Sequence, residues 1–270
     1  MSESNPTLQF LKLGGSLITD KSRPHTPRLD VLARLAGEIA AARRRFPELR
    51  LVLGHGSGSF GHVPAQRYNT RQGVHTPTEW QGFIEVWREA AALNRFVLDA
   101  FAGANLPAMA FPPSASLIAC DGRVESWDIS PMIAALQVGL IPVVYGDVVF
   151  DRTRGGTIFS TEDLFDDLAR KLRPGRILLA GLEPGVWTDY PHCTHLATEI
   201  TPESLAQIMP ALGGSAATDV TGGMYSKVQQ SLALVQAMPG LEVRIFSAET
   251  PGTILRALAG EPLGTLIHAA

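Results

Sequence analysis

Residues 54–62 read Gly-His-Gly-Ser-Gly-Ser-Phe-Gly-His, directly after the apolar run Leu51-Val52-Leu53. Glycine lets the main chain bend sharply and approach a ligand closely. Successive amides freed by such a turn form an anion-binding concavity, above all where a helix begins. The stretch therefore predicts a strand that ends in a phosphate cradle formed by Gly56, Ser57 and Gly58, with His62 at its rim. A flexible surface loop is the competing reading. Against it, a second glycine turn, Gly14-Gly15, follows another apolar run, Leu8–Leu13.

Working outward, strand-like runs alternate with helix-like ones. Strands are predicted at 8–13, 49–53, 107–111, 141–145, 176–180, 241–246 and 266–268. Helices are predicted at 29–44, 78–101 with Thr78 as N-cap, 130–138 with Ser130 as N-cap, 162–172, 202–209, 224–237 and 251–259. Asp121-Gly122 and Arg154-Gly155-Gly156 each sit between short strands and predict two hairpins. Strands separated by helices imply crossover units, hence an α/β fold with a largely parallel sheet covered on both faces and hairpin insertions. In such sheets ligands bind beyond the carboxyl ends of the strands. Both glycine turns fall on that edge.

The bulk composition narrows the function. The chain has 270 residues, 45% hydrophobic and 18% charged, with a net charge of −3. That supports a large core and argues against disorder and against nucleic-acid binding driven by net charge. Two distant cysteines, Cys120 and Cys193, make no disulfide scaffold and suit a reducing cytoplasm. No run reaches the length of a membrane span, and no secretory leader is read at the N-terminus.

Three constellations carry chemistry. Lys12-Leu13-Gly14-Gly15-Ser16 puts a lysine at a strand end beside a tight turn. The second is the 54–62 loop. In the third, Asp219-Val220-Thr221-Gly222-Gly223-Met224 opens a helix with Lys227 one turn inside it, a place where terminal phosphates are favoured. The P-loop pattern is absent. Gly56–Gly61 spells GxGxxG, but the acid expected about 20 residues on falls inside a helix at Glu79, so a dinucleotide fold is not read. Arg43-Arg44-Arg45 reads as a solvated helix end. His192-Cys193-Thr194-His195 fits no zinc spacing and reads as a solvated loop, and no metal ligands are assigned.

On these residues, together with Leu17-Ile18-Thr19-Asp20-Lys21, the chain resembles the amino acid kinase family over nearly its whole length. The histidine after Gly-Ser-Phe-Gly is similar to the branch that acts on isopentenyl phosphate. The resemblance implies an open αβα sandwich, ATP and Mg²⁺, a homodimer, and ATP-dependent phosphorylation of isopentenyl phosphate to the diphosphate. It implies an acceptor lobe at 1–170 and a nucleotide lobe at 171–270. Lys12 and Lys227 would stabilise the transferring group, Lys21 would assist, and Asp219 would orient the lysines. His62 and the Gly56, Ser57 and Gly58 amides would hold the acceptor phosphate, closed by Gly146 and Asp147. Phe83, Ile84 and Trp87, on a helical stripe with Ala90, would line a short hydrocarbon pocket. Gly14, Gly15, Ser16, Gly181, Gly185, Trp187, Asp189, Gly222 and Gly223 would serve the nucleotide, with Ser160–Asp163 near the junction. The loop departs from the family in its Gly-His-Gly-Ser-Gly start, which leaves Ser57 its amide and makes His55 structural. Another phosphate or phosphonate acceptor, or a non-catalytic nucleotide-binding protein, are the alternatives.

Overall fold

The computed structural model describes residues 8–205 and 223–269, with His62 and Val63 described in the main chain only. From the N-terminus come β1 (Gln9–Leu13), α1 (Gly15–Ile18), α2 (Leu29–Arg45), β2 (Leu51–His55), α3 (Gly58–Arg67) and α4 (Pro77–Gly103). Next are β3 (Ala108–Ala110), β4 (Leu117–Cys120), β5 (Arg123–Trp127), α5 (Ser130–Gln137), β6 (Ile141–Tyr145), β7 (Asp147–Asp151) and β8 (Gly155–Phe159). Then follow α6 (Thr161–Leu172), β9 (Arg176–Gly181), β10 (Val186–Trp187), β11 (Leu196–Ala197) and β12 (Glu199–Ile200). The remaining elements are α7 (Gly223–Ala237), β13 (Glu242–Ser247), α8 (Thr253–Leu258) and β14 (Thr265–Ile267).

The main sheet has eight strands in the order β12-β14-β13-β9-β1-β2-β6-β3. Its pairs are parallel except β13–β14. β1 lies at its centre and is buried along its whole length, as a strand covered on both faces must be. Alternate residues feed two cores. Phe10, Val52 and Ile177 pack with Phe165 of α6 and Leu232 of α7. Leu11, Leu53 and Leu178 pack with Leu35 of α2, Leu93 of α4 and Ile254 of α8. The result is a three-layer αβα sandwich, as expected.

The chain leaves β1 for β2 on one side, and β9 later pairs with β1 on the other. The carboxyl end of β1 is thus a topological switch point, where open sheets leave a crevice. The two hairpins are not separate insertions. A parallel pairing of β4 with β7 joins them into one four-stranded sheet, β5-β4-β7-β8.

Several boundaries differ from the sequence expectation. Residues 54–62 are not one loop: β2 continues through Gly54-His55 and α3 begins at Gly58. The cap of α4 is Thr76, not Thr78. Its hydroxyl accepts the Glu79 N–H at 3.3 Å while Glu79 accepts the Thr76 N–H at 2.8 Å. This reciprocal capping box, with Pro77 following, was spelled Thr-Pro-Thr-Glu in the sequence. At α5 the Asp128 carboxylate, rather than the Ser130 side chain, takes a terminal amide, that of Ser130, at 2.9 Å. Of the helix expected at 202–209, residues 206–209 lie outside the described residues.

Candidate active site

The two glycine turns are packed main chain against main chain. A Cβ at Gly15 would fall on the Gly58 amide nitrogen and stand 2.7 Å from its Cα. Gly58 has φ +51°, and a Cβ there would stand 2.7 Å from the Gly15 carbonyl oxygen. Neither position has room for a side chain, so the glycines are required by contact and not by flexibility alone. Thr19 staples the pair: its Oγ1 donates to the Gly15 carbonyl at 2.7 Å and accepts the Ser59 N–H at 2.9 Å. Gly56 N–H donates to the Leu13 carbonyl at 3.0 Å, and Gly14 N–H to the Ala180 carbonyl at 2.8 Å. The turns after β1 and β2 are therefore fixed to each other and to β9.

A cavity of about 1010 Å³ opens over this edge, lined by Lys12, Gly14–Leu17, Gly56–Gly58, Gly146, Ser160–Glu162 and Gly223–Met224 with Lys227. The N-termini of α3, α6 and α7 all border it, which favours anions. Lys12 is buried at the end of β1 and ion-pairs with Glu162, in the first turn of α6. Burial opposes ionisation of Glu162, but Lys12 and then Lys227 outweigh it and hold its carboxyl below the ordinary range. The sequence pointed to Ser160–Asp163 only as a contributor to the junction. It gave the orienting carboxylate to Asp219, which, with Gly222, lies outside the described residues. Glu162 is a carboxylate that does hold Lys12.

The other expected residues divide. Lys21, Ser16, Gly181 and Trp187 line the cavity; Gly185 and Asp189 do not. A Cβ at Gly185 would stand 2.6 Å from Thr265 Oγ1, so that glycine permits packing of the β10 turn. Asp189 folds its own loop, accepting the amides of Thr194 and His195, each at 3.1 Å. Asp147 is fully buried below the cavity; it accepts Ser114 Oγ at 2.7 Å and the Val148 N–H at 2.8 Å. Burial raises its carboxyl to about 6 against those two hydrogen bonds. Asp147 is thus a buried structural group, while its neighbour Gly146 reaches the cavity.

The apolar end is lined by Ala65, Val86, Ala90 and Ile158. Of the expected stripe only Ala90 is among them. Phe83 is buried in a satellite core with Val74 and Val148, edge-on to Trp80 and tilted against Phe150. Ile84 and Trp87 are exposed and do not line the cavity. The correction is one of phase on the helix: Val86 and Ala90, four apart, share the cavity face.

His55 is buried under the glycine turn, as its structural reading expected. Its ring stacks on Tyr145 at 5.2 Å and lies 3.1 Å from the Gly56 carbonyl and 3.2 Å from the Asn94 amide. Burial lowers it to about 4, so it is neutral at pH 7. His62 belongs to α3, four residues after Gly58; its side chain lies outside the description. Sequence reasoning passed over Arg71 and Thr19. Thr19 was visible as part of the first motif. Arg71 follows α3 in an unpatterned loop and carried no signal.

The model of the amino acid kinase family matches residues 7–247. The chain is 36% identical to the isopentenyl phosphate kinase of Methanothermobacter thermautotrophicus, over 96% of this chain and 98% of the relative. It is 32% identical to the isopentenyl phosphate kinase of Methanocaldococcus jannaschii, with the same coverage. A solved isopentenyl phosphate kinase structure superposes with a TM-score of 0.82 at 32% identity, covering 96% of this chain and 99% of that one.

Proposed function

This chain belongs to the amino acid kinase family, and on that premise we propose that it transfers the γ-phosphoryl group of ATP to isopentenyl phosphate, giving isopentenyl diphosphate and ADP. The observation that carries this reading is the pair of interlocked glycine turns with Lys12 beside them, two anion cradles held at a fixed spacing. The two curated relatives described above, matched over nearly their full length, are named for this substrate.

The chemistry suits these groups. A phosphate monoester has a second pKa of about 6, so the acceptor is already anionic and needs no general base. One of its oxygens attacks the γ-phosphorus. The bond from that phosphorus to the β–γ bridging oxygen breaks, and the electron pair leaves with ADP. What the protein supplies is positioning and charge. Ser57 and the start of α3 at Gly58 face the acceptor phosphate, with His62 as a further donor, while Gly56, its N–H held by the Leu13 carbonyl, shapes the turn beneath it. Lys12, oriented by Glu162, and Lys227 meet the charge on the transferring group, and Lys21 lies at the same cavity. Gly14, Gly15, Ser16 and Gly223 at the start of α7 face the nucleotide phosphates; Gly222 is assigned to the nucleotide and Asp219 to the lysines on family resemblance. The strands from 171 onward and Gly181 and Trp187 receive the adenosine, the part before 170 the acceptor.

Mg²⁺ enters this reading as the counter-ion of ATP. Such an ion is carried mainly on the substrate phosphates, with few protein ligands. A homodimer is part of the proposal on family resemblance. Two unpaired cysteines support a cytoplasmic setting, and no described helix is long and apolar enough to cross a membrane.

Phosphorus NMR tests the reaction. ATP and isopentenyl phosphate should convert to ADP and a diphosphate, and His62→Ala should lower kcat/KM for the acceptor by at least about tenfold. Wild-type efficiency in that variant removes His62 from the site.

A further inference from the structure

Arg71 lines the cavity and also a chamber of about 250 Å³ beside it, shared with Ser160, Glu162, Asp163, Lys227 and Gln230. Its carbonyl is fixed by Thr157 Oγ1 at 2.9 Å. Its Nη2 donates to Asp163 Oδ2 at 3.3 Å. Asp163 is itself held, taking the Ser160 N–H at 2.8 Å and Gln230 Nε2 at 3.2 Å. One carboxylate thus ties the loop before α4 to the start of α6 and to α7, one turn along from Lys227.

The other terminal nitrogen of Arg71, Nη1, is buried and has no hydrogen-bond partner among the described residues. A buried N–H on a charged group without an acceptor is costly and calls for one. The acceptor best matched to a guanidinium held on one edge is a phosphate oxygen. The loop carrying Arg71 joins α3 to α4, and these helices supply Ala65, Val86 and Ala90 to the apolar end of the cavity. Arg71 therefore belongs to the half that would take the acceptor, not the nucleotide.

We propose that Arg71 is a substrate-binding residue whose Nη1 donates to the phosphate of the acceptor, and that Asp163 is the positioning residue that aims it. This rests on the kinase reading of the cavity. The contact is to the phosphate already on the acceptor, so it weighs on acceptor affinity and leaves ATP affinity alone.

Steady-state kinetics with ATP and isopentenyl phosphate test this in wild type, Arg71→Gln, Arg71→Lys, Arg71→Gly and Asp163→Asn, each checked by its Tm. Arg71→Gln should raise the acceptor KM about 10- to 100-fold, the worth of a charged hydrogen bond, with the ATP KM within about twofold. Arg71→Lys should recover part of the loss. Added guanidinium ion should restore part of the activity of Arg71→Gly, which a merely structural role would not allow. Asp163→Asn should raise the acceptor KM by a smaller factor. With an active wild type, an unchanged acceptor KM in Arg71→Gln, or a rise in the ATP KM instead, overturns the assignment. A wild type without turnover overturns the kinase reading, and this assignment with it.

Discussion

The two ends of the cavity are built differently. At the phosphate end, main chain meets main chain: Gly15 and Gly58 leave no space for a Cβ, and Thr19 closes the contact. At the apolar end, side chains on one face of α4 set the shape, Val86 and Ala90 with Ile158 opposite. A site made of backbone has few tolerated changes, because its donors move only if the chain moves. A site made of helix side chains is altered one residue at a time. Chemistry is therefore expected to be brittle and acceptor preference adjustable.

The largest effect should come from the charge between the turns. Lys12→Met removes the lysine paired with Glu162 and should cost about a thousandfold in kcat, measured at saturating ATP and acceptor. A loss below about tenfold would mean the transferring group does not meet Lys12. Next, Gly15→Ala should cost about a hundredfold in kcat/KM, since it forces the cradles apart by a fraction of an ångström or more. It should also lower the Tm by several degrees.

The phosphate end also carries a pH signature. His55 is lowered to about 4, so an unfolded chain takes up its proton near 6.5 while the folded one does not. Stability from His55 is present above about 6.5 and is lost as pH falls toward 4, by on the order of 3 kcal/mol. Asp147 acts in the opposite sense: its raised pKa of about 6 adds stability at low pH that fades as pH rises through 6. The total curve hides both, so the comparison must be with a variant. The stability gap between wild type and His55→Gln, from urea unfolding, should narrow from pH 7 to pH 4. A constant gap would mean that His55 titrates normally.

At the apolar end the effects should be smaller. Ala90→Leu should lower kcat/KM for isopentenyl phosphate about tenfold by filling the cavity, with little change in the ATP KM. Trp87→Ala should stay within about twofold, because Trp87 is exposed away from the cavity lining. If Ala90→Leu proved as damaging as Gly15→Ala, the division between a brittle and an adjustable end would fail.

The same division explains what the sequence made legible. Glycines forced by backbone contact stand out in any sequence, so 14–15 and 56–58 were found with their strands. Continuous apolar runs such as Ile141–Tyr145 marked the buried strands for the same reason. A helix face is set by phase, and the long apolar helix 77–103 offers several stripes; of the stripe Phe83, Ile84, Trp87 and Ala90 only Ala90 lines the cavity, and its partner there is Val86. Asp147 follows the cavity residue Gly146, and Gly185 lies two residues from both Glu183 and Trp187, yet both serve packing, a distinction set by the folded chain and not by the local pattern. Glu162 and Arg71 come from segments far from Lys12 in the chain, and only folding brings the three to one cavity.

The central claim is tested most directly by kcat/KM for ATP-dependent turnover of isopentenyl, dimethylallyl and geranyl phosphates and of fosfomycin, with the products identified. The expected result is highest efficiency on isopentenyl phosphate, with isopentenyl diphosphate and ADP formed in equal amounts. ATP binding without turnover of any acceptor, or greater efficiency on the phosphonate, would contradict it.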